Sequence, residues 1–208
     1  MIGLCGAHRV GKSSLAREYA KKFNIPFIET SVSAAVFSKL GLDPSVTYDF
    51  PTRLTVQEEI LKHLDGLYSG HIMAFGAITD RTPLDLLGYT LAEAIGHRVP
   101  PECQARLKKY VEDCFEMTNR RFGTVILVQP GIPLVHEERK AAMNEGYIEH
   151  LNSLILGLTV DERLDTAHYY IPRQLTDMSD RVEAVNNAVH SSIRRVMRNR
   201  DAEEVSSH

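Results

Sequence analysis

The feature that most constrains the fold is an eight-residue pattern near the amino terminus. Residues 6–13 read Gly-Ala-His-Arg-Val-Gly-Lys-Ser and match G-x-x-x-x-G-K-[ST], the pattern of a loop that wraps its amides around phosphate oxygens. An apolar run over residues 1–5 precedes this loop, and residues 12–23 carry apolar side chains spaced four apart, which predicts a strand before it and a helix after it. A glycine-rich turn without a ligand is the alternative, and the strand-loop-helix context favours the phosphate site.

The residue types in the loop suit a nucleotide. Glycines let the backbone approach the anion closely, Lys12 would reach the β and γ phosphates, and Ser13 would bind Mg²⁺ through its hydroxyl. The helix that follows turns its N-terminal amides toward the anion. The loop alone therefore predicts binding of a nucleoside triphosphate. The predicted nucleotide-binding residues are Gly6, His8, Arg9, Val10, Gly11, Lys12, Ser13 and Ser14.

The rest of the chain alternates between short apolar runs and helical periodicity. Strands are predicted over residues 1–5, 25–28, 71–79, 124–128 and 167–171, and helices over residues 12–23, 33–40, 52–68, 83–95, 101–121 and 179–200. Residues 131–157 are polar at first and then helical in pattern. This alternation predicts an α/β fold of the P-loop NTPase type, a three-layer sandwich with a central parallel sheet and helices on both faces. We expect one domain over residues 1–200 and a frayed tail over residues 201–208.

Composition excludes several classes of protein. The 208 residues carry 24 Lys+Arg and 27 Asp+Glu for a net charge of -3, so no global field draws the chain to nucleic acid or to an anionic membrane. Cys5, Cys103 and Cys114 form no C-x-x-C pair, which disfavours a disulfide framework and a zinc site. No apolar stretch reaches the length of a membrane span. We therefore expect a cytoplasmic protein.

A charged pair, Asp80 and Arg81, ends the apolar run over residues 71–79. At the end of a buried strand beside the loop, Asp80 can accept a proton from an acceptor hydroxyl or hold a metal through water. Arg81 can bind a phosphate or the acceptor. The alternative is a surface ion pair in which Asp80 caps the helix that begins at Pro83.

Two other classes of phosphate-loop protein are disfavoured. The guanine-reading pattern N-K-x-D of GTPases is absent from the sequence, and the D-x-x-G match at residues 85–88 falls inside a predicted helix. Residues 160–162, Val-Asp-Glu, imitate the Asp-Glu strand end of ATPase motors but follow a helical segment. A nucleotide switch or an ATPase without an acceptor therefore stays an alternative of another class.

Several segments together carry a family resemblance. They are residues 6–13, residues 29–31 with Gly41, residues 53–58, residues 79–85 with Tyr89, and residues 130–134. In combination they resemble the small P-loop kinases, in particular the group that contains the ribosylnicotinamide kinase domain and many phage-type nucleotide kinases. The resemblance is specific at the loop and at Asp80-Arg81-Thr82-Pro83-Leu84-Asp85.

The resemblance implies a kinase-type lid, a requirement for ATP and Mg²⁺, and transfer of the γ-phosphoryl group to a nucleoside or a nucleoside monophosphate. It implies a helical acceptor-binding region near residues 30–70 and an arginine-bearing lid near residues 131–157. The same resemblance implies that Asp80 acts at the acceptor hydroxyl. It also implies a cytoplasmic protein, located in the cytoplasm of the host if a phage encodes it. The implied catalytic residues are Lys12, Asp80, Arg81 and Arg139, and the implied metal-binding residues are Ser13 and Asp80.

The acceptor is less well determined by the sequence. Arg53 and Gln57 lie four apart on one predicted helix face and are candidates for a phosphate and a base edge, although solvated residues without a role fit this pattern as well. Phe37, Tyr48 and Phe50 suit either base stacking or the core. The predicted substrate-binding residues are Glu29, Arg53, Gln57 and Asp85.

Charge favours one acceptor over another. Arg53, Arg81 and Arg139 offer more positive charge than a neutral nucleoside needs, which favours a nucleoside monophosphate. A hydroxymethylated base within DNA is the alternative from the same chemistry. The expected partner is a small-molecule nucleotide or nucleoside, and DNA is less favoured. The sequence leaves open whether the chain forms a homodimer, and no membrane partner is expected.

Overall fold

The computed structural model describes residues 1–30, 32–70, 75–94, 99–134 and 144–206, with side chains described as far as residue 199. The strands are β1 (Ile2–Cys5), β2 (Phe27–Ile28), β3 (Ile78–Thr79), β4 (Thr124–Val128) and β5 (Ala167–Ile171). The helices are α1 (Lys12–Phe23), α2 (Val32–Lys39), α3 (Phe50–Ser69), α4 (Pro83–Glu93), α5 (Pro101–Arg121), α6 (Glu145–Thr159) and α7 (Met178–Ser206).

The strands form one parallel sheet in the order β2-β3-β1-β4-β5. β1 lies in the middle, where Gly3 is opposite Thr79 of β3 and Val125 of β4. From β1 the chain continues to β2, at one edge of the sheet. From β3 it returns past β1 to β4, toward the other edge. In open parallel sheets, ligands bind at the carboxyl ends of strands where connections diverge in this way. The predicted fold is therefore confirmed, and the residues after β1 and β3 lie at the expected place for a site.

Hydrophobic side chains cover both faces of the sheet and produce three layers. On β4, Val125 packs into a cluster with residues of α3, α4 and α5, whereas Ile126 and Val128 pack with residues of α1 and α7. A strand covered on both faces requires a continuous apolar run, and all five residues of β4 are buried. The helices on both faces hold the strand ends in fixed positions.

Helix α6 packs against α4 at Gly88. A Cβ on Gly88 would lie 2.6 Å from a side-chain carbon of Ile155, so the two helices approach too closely for any side chain there. The glycine of the D-x-x-G match is thus a packing residue within a helix, in line with the helix predicted for this segment.

The boundaries of several elements agree with the sequence pattern, among them α1, α5, β4 and β5. The strand predicted over residues 71–79 is shorter: Phe75 has a φ of 63°, which an extended strand does not accommodate, and residues 71–74 lie outside the described residues. Helix α7 ends at Ser206 rather than at residue 200. Among the described helices, none combines the length and the apolar character needed to cross a membrane.

Candidate active site

The loop over residues 6–13, which the sequence predicts to bind phosphate, joins β1 to α1, and its backbone requires its glycines. Gly6, Arg9 and Gly11 have φ angles of 142°, 62° and 82°, a region that favours glycine. A Cβ on Gly6 would also lie 2.6 Å from the carbonyl oxygen of Val128. The loop therefore lies close against β4 and curves so that the N-terminus of α1 faces the space it encloses.

A buried carboxylate holds the loop in this shape. Asp85 is 1% exposed; its Oδ1 accepts a hydrogen bond from the Gly6 amide at 2.9 Å, and its Oδ2 accepts from the Thr82 amide and hydroxyl at 2.7 and 2.9 Å. Lys12 Nζ lies 3.7 Å from Oδ1 and donates to the carbonyl oxygens of Gly6 and Ala7 at 2.6 and 2.7 Å. Asp85 thus fixes both the start of the loop and its lysine.

The two buried charges stabilise each other. Burial raises the pKa of Asp85, and the charges of Lys12 and Arg81 lower it. Burial likewise lowers the pKa of Lys12, and the charge of Asp85 raises it. A buried ion pair persists when each charge compensates for the lost hydration of the other. Because both oxygens of Asp85 contact protein groups, its contacts support anchoring of the loop rather than the substrate contact that the sequence predicts.

Asp80 follows β3 and lies beside the loop, as predicted. The Ser13 hydroxyl donates a hydrogen bond to Asp80 Oδ2, and the Thr30 hydroxyl donates to Oδ1 at 3.2 Å. A hydroxyl that donates its proton to a carboxylate keeps its oxygen lone pairs for a cation. A hydroxyl and a carboxylate are the hard oxygen ligands that Mg²⁺ accepts together with phosphate oxygens and water, so Ser13 and Asp80 fit the predicted metal.

Tyr68, which the sequence analysis missed, braces the strand end that carries Asp80. Its hydroxyl donates to the carbonyl oxygen of Arg81 at 2.7 Å and lies 3.4 Å from the Thr79 hydroxyl. Thr79 in turn donates to the carbonyl oxygen of Ile28 at 3.0 Å. Burial raises the pKa of Tyr68, so the phenol stays a donor. The only sequence signal is an amphipathic tyrosine on the apolar stripe of α3.

Three adjoining cavities surround the loop. The loop cavity, of about 220 Å³, is lined by residues of the loop and of the start of α1, together with Asp80, Arg81, Asp85 and Tyr89. The large cavity, of about 660 Å³, shares His8, Arg81 and Tyr89 with it. The side cavity, of about 360 Å³, lies between Arg9, residues 130–134, the start of α6 and Arg173. The loop cavity therefore shares His8, Arg81 and Tyr89 with the large cavity and Arg9 with the side cavity.

The large cavity contains both predicted acceptor residues of α3. Arg53 forms an ion pair with Glu93 of α4, and burial raises the pKa of Glu93 while Arg53 lowers it. The Oε1 atom of Gln57 is buried and accepts no hydrogen bond from any described residue. A buried acceptor without a partner is costly unless a ligand or water supplies a donor, and Gln57 is among the residues that line this cavity.

Aromatic side chains line the same cavity. Phe37 and Tyr48 lie with ring centroids 6.4 Å apart, and Tyr147 lies 5.7 Å from the ring of His8. Phe37 and Phe50 both pack against the core, but of these two only Phe37 lines the cavity. Glu93 and Tyr147 are additions that the sequence did not reveal, because each reaches the cavity from a helix distant in the chain.

Three predicted features remain: Ser14, Glu29, and Arg139 with the lid around it. Ser14 lines the loop cavity with its neighbours. Glu29 is exposed and lies 3.7 Å from Arg17 of α1, so its substrate role stays a prediction. Arg139 lies outside the described residues, as does the rest of 135–143, and the arginine-bearing lid over residues 131–157 also stays a prediction; its last part belongs to α6, where Leu151 is buried.

Solved structures with this fold share little sequence with the chain. Deoxyadenosine kinase from M. mycoides with bound dCTP has a TM-score of 0.62 at 17% identity, over 91% of this chain and 98% of that chain. The NadR protein in complex with NR has a TM-score of 0.60 at 16% identity, over 92% of this chain and 50% of that chain. YorR from Bacillus subtilis, in complex with phosphorylated GDP, has a TM-score of 0.53 at 13% identity, over 91% and 95%. The chain therefore has the P-loop kinase fold.

No protein-family model matches the sequence, and no curated protein matches it.

Proposed function

We propose that the chain is an ATP-dependent phosphotransferase that moves the γ-phosphoryl group of ATP to a nucleoside or a nucleoside monophosphate. The observation that carries this proposal is that the loop cavity shares lining residues with two further cavities. A transfer reaction needs a donor and an acceptor on opposite sides of the phosphate that moves. A protein that only binds or hydrolyses a nucleotide needs no cavity of about 660 Å³ beside its phosphates.

The loop would hold the donor. Its amides and Lys12 face the loop cavity and would bind the β and γ phosphates, while the side cavity next to Arg9 would take the rest of the nucleotide. Ser13 and Asp80 would hold Mg²⁺, which supplies charge neutralisation at the phosphates when it is bound. Lys12 enters this role with its charge already balanced by Asp85 at 3.7 Å.

The large cavity would hold the acceptor, with its reacting oxygen at the boundary near Arg81. Its volume lies within the usual range for small-ligand sites, about 300–1,000 Å³. Phe37 and Tyr48 offer faces for stacking a base, and Gln57 Oε1 offers an acceptor for an N–H group. The γ-phosphorus would leave the bridging oxygen of ADP as its bond to the acceptor oxygen forms, and Asp80 would take the proton if the acceptor is a hydroxyl.

The choice between nucleoside and monophosphate depends on free positive charge. Glu93 neutralises Arg53, which weakens the argument for a phosphate at that point. Arg81 has no carboxylate within ion-pair distance among the described residues, and it borders both cavities. We therefore keep both acceptors in the proposal and assign Arg81 to the transferring phosphate or the acceptor phosphate.

The decisive experiment is a transfer assay with γ-labelled ATP and Mg²⁺ against a panel of nucleosides, nucleoside monophosphates, ribosylnicotinamide and DNA with hydroxymethylated bases. We expect label in a nucleoside or monophosphate product, and none with Lys12→Ala, because the loop then lacks its point charge. Lys39→Ala, at an exposed pair with Glu59 outside the cavities, serves as the control and retains transfer.

Two outcomes would support other functions. ATP hydrolysis that no acceptor stimulates would favour a nucleotide switch or an ATPase. Transfer to DNA alone, with binding that weakens steeply as salt is added, would favour a DNA kinase.

A further inference from the structure

A buried arginine lies directly behind the phosphate-binding loop. Arg181, in the first turn of α7, is 2% exposed, and its Nη2 donates to the carbonyl oxygen of Val10 at 2.6 Å. Its Nη1 lies 2.9 Å from the point that a Cβ on Gly11 would occupy. A side chain from the last helix therefore contacts the loop where the loop turns into α1.

The charge of this arginine is unpaired within the described part of the chain. No carboxylate oxygen of a described residue lies within ion-pair distance of its guanidinium, and its buried Nε has no hydrogen-bond partner there. Burial lowers the pKa of Arg181, with no opposing charge to raise it. Buried arginines are usually paired, because an isolated buried charge is costly. An anion in the loop would offset that cost.

The backbone geometry gives the contact a direction. In a trans peptide the C=O and the following N–H point to opposite sides. Because Arg181 holds the Val10 carbonyl on the α7 side of the loop, the Gly11 amide points the other way, and Gly11 lines the loop cavity. Loss of this hydrogen bond would free the peptide between Val10 and Gly11 to rotate. Gly11 has a φ of 82° and no Cβ, so its backbone has few steric limits.

We infer that Arg181 is a positioning residue for the nucleotide phosphates: it keeps the Gly11 amide turned into the loop, and its charge favours the more negative nucleotide. The inference rests on the proposed function. The attraction between a fixed charge and a ligand grows with the charge of the ligand, so Arg181 favours ATP over ADP. A residue that only stabilised the packing of α7 would affect both nucleotides equally.

The test compares Kd values of ATP and ADP, by calorimetry at one salt concentration, for Arg181→Met, Arg181→Gln, Arg181→Lys and the wild type. We expect Arg181→Met to raise the Kd of ATP about tenfold or more and to reduce the preference for ATP over ADP. Arg181→Gln keeps an N–H donor without the charge, and we expect it to lose the preference as well. Arg181→Lys keeps the charge and retains the preference.

Lys22→Met is the matched control. Lys22 of α1 forms an exposed pair, at 3.9 Å, with Glu183 of α7, the helix that carries Arg181, and its substitution should leave both Kd values unchanged. In transfer assays, Arg181→Met should raise the KM of ATP more than it lowers kcat. Circular dichroism verifies folding first; if the Met variant is unfolded, the Gln variant provides the result.

The outcomes separate the two claims. Wild-type affinities for ATP and ADP in the Met or Gln variant, or equal weakening of both, would overturn the role of Arg181 while the phosphotransferase proposal stands. Failure of the wild-type protein to bind either nucleotide would overturn the proposed function, and this inference with it.

Discussion

Substitution of Asp85 by asparagine separates an anchor of the loop from a contact with the substrate. The variant keeps the shape of the side chain but replaces one acceptor oxygen with an NH₂ group. If the remaining oxygen stays on Thr82, the Gly6 amide loses its partner at 2.9 Å and faces another donor. Lys12, 3.7 Å away, also loses its counter-charge. Loss of a buried bond to a charged acceptor predicts destabilisation of about 2–3 kcal/mol.

Thermal and urea unfolding measure this change. For a chain of this size, about 2–4 °C per kcal/mol places the expected fall in Tm at about 4–12 °C. The affinity for ATP should fall together with stability, because the Gly6 backbone and Lys12 both move. Asp113→Asn is the control, since Asp113 forms an exposed pair with Lys109 on one helix face and such pairs contribute little.

The alternative role predicts a different pattern. If Asp85 acts only by contacting the acceptor, the variant should unfold at the same urea concentration as the Asp113 control and show only a higher KM for the acceptor. That result would refute the reasoning from its four contacts.

Three further predictions concern other parts of the chain. Asp80→Asn should still bind ATP in calorimetry but lose transfer, because it keeps the contacts of a polar side chain without the charge that holds a metal or takes a proton; normal transfer would remove Asp80 from the mechanism. Tyr68→Phe, which deletes the donor to the Arg81 carbonyl, should cost about 1–3 kcal/mol in urea unfolding and lower kcat, and an unchanged kcat would show that the brace does not affect catalysis. Glu59 has a pKa lowered to about 2 by Lys39 and Lys62; since this folded value lies below the unfolded one, the stabilisation is complete above about pH 4.5 and lost toward pH 2. Urea midpoints of Glu59→Gln should therefore lie slightly below wild type at pH 6, since exposed pairs contribute little, and converge with it at pH 2.

The local sequence was enough to predict what depends on neighbours in the chain. The loop over residues 6–13, the strand before it and α1 were correctly placed because glycine positions and apolar spacing are local signals. The boundaries of α5 and β4 follow for the same reason. The strand before Asp80 was overextended, because the left-handed backbone at Phe75 has no signature in an apolar run.

Contacts between distant segments were not predictable. Arg53 and Gln57 were placed on one helix face, yet the pairing of Arg53 with Glu93 depends on how α3 packs against α4. Arg181 gave a weak signal, a cation that shares a helical stripe with the buried Val185, but nothing in the sequence names the loop as its partner. Local patterns in the sequence do not specify which helix faces meet.

Two buried charged residues, Asp85 and Arg181, hold opposite ends of the loop. Asp85 of α4 accepts the amide of Gly6 at the start of the loop, and Arg181 of α7 donates to the carbonyl of Val10 near its end. These helices lie in different parts of the fold, so the shape of the loop depends on the packing of both onto the sheet. A ligand that binds the loop should stabilise that packing by mass action. Substitutions at either anchor should therefore lower ATP affinity, whereas Gln57→Ala, at a residue that lines the large cavity, should alter the KM of the acceptor and leave ATP affinity unchanged.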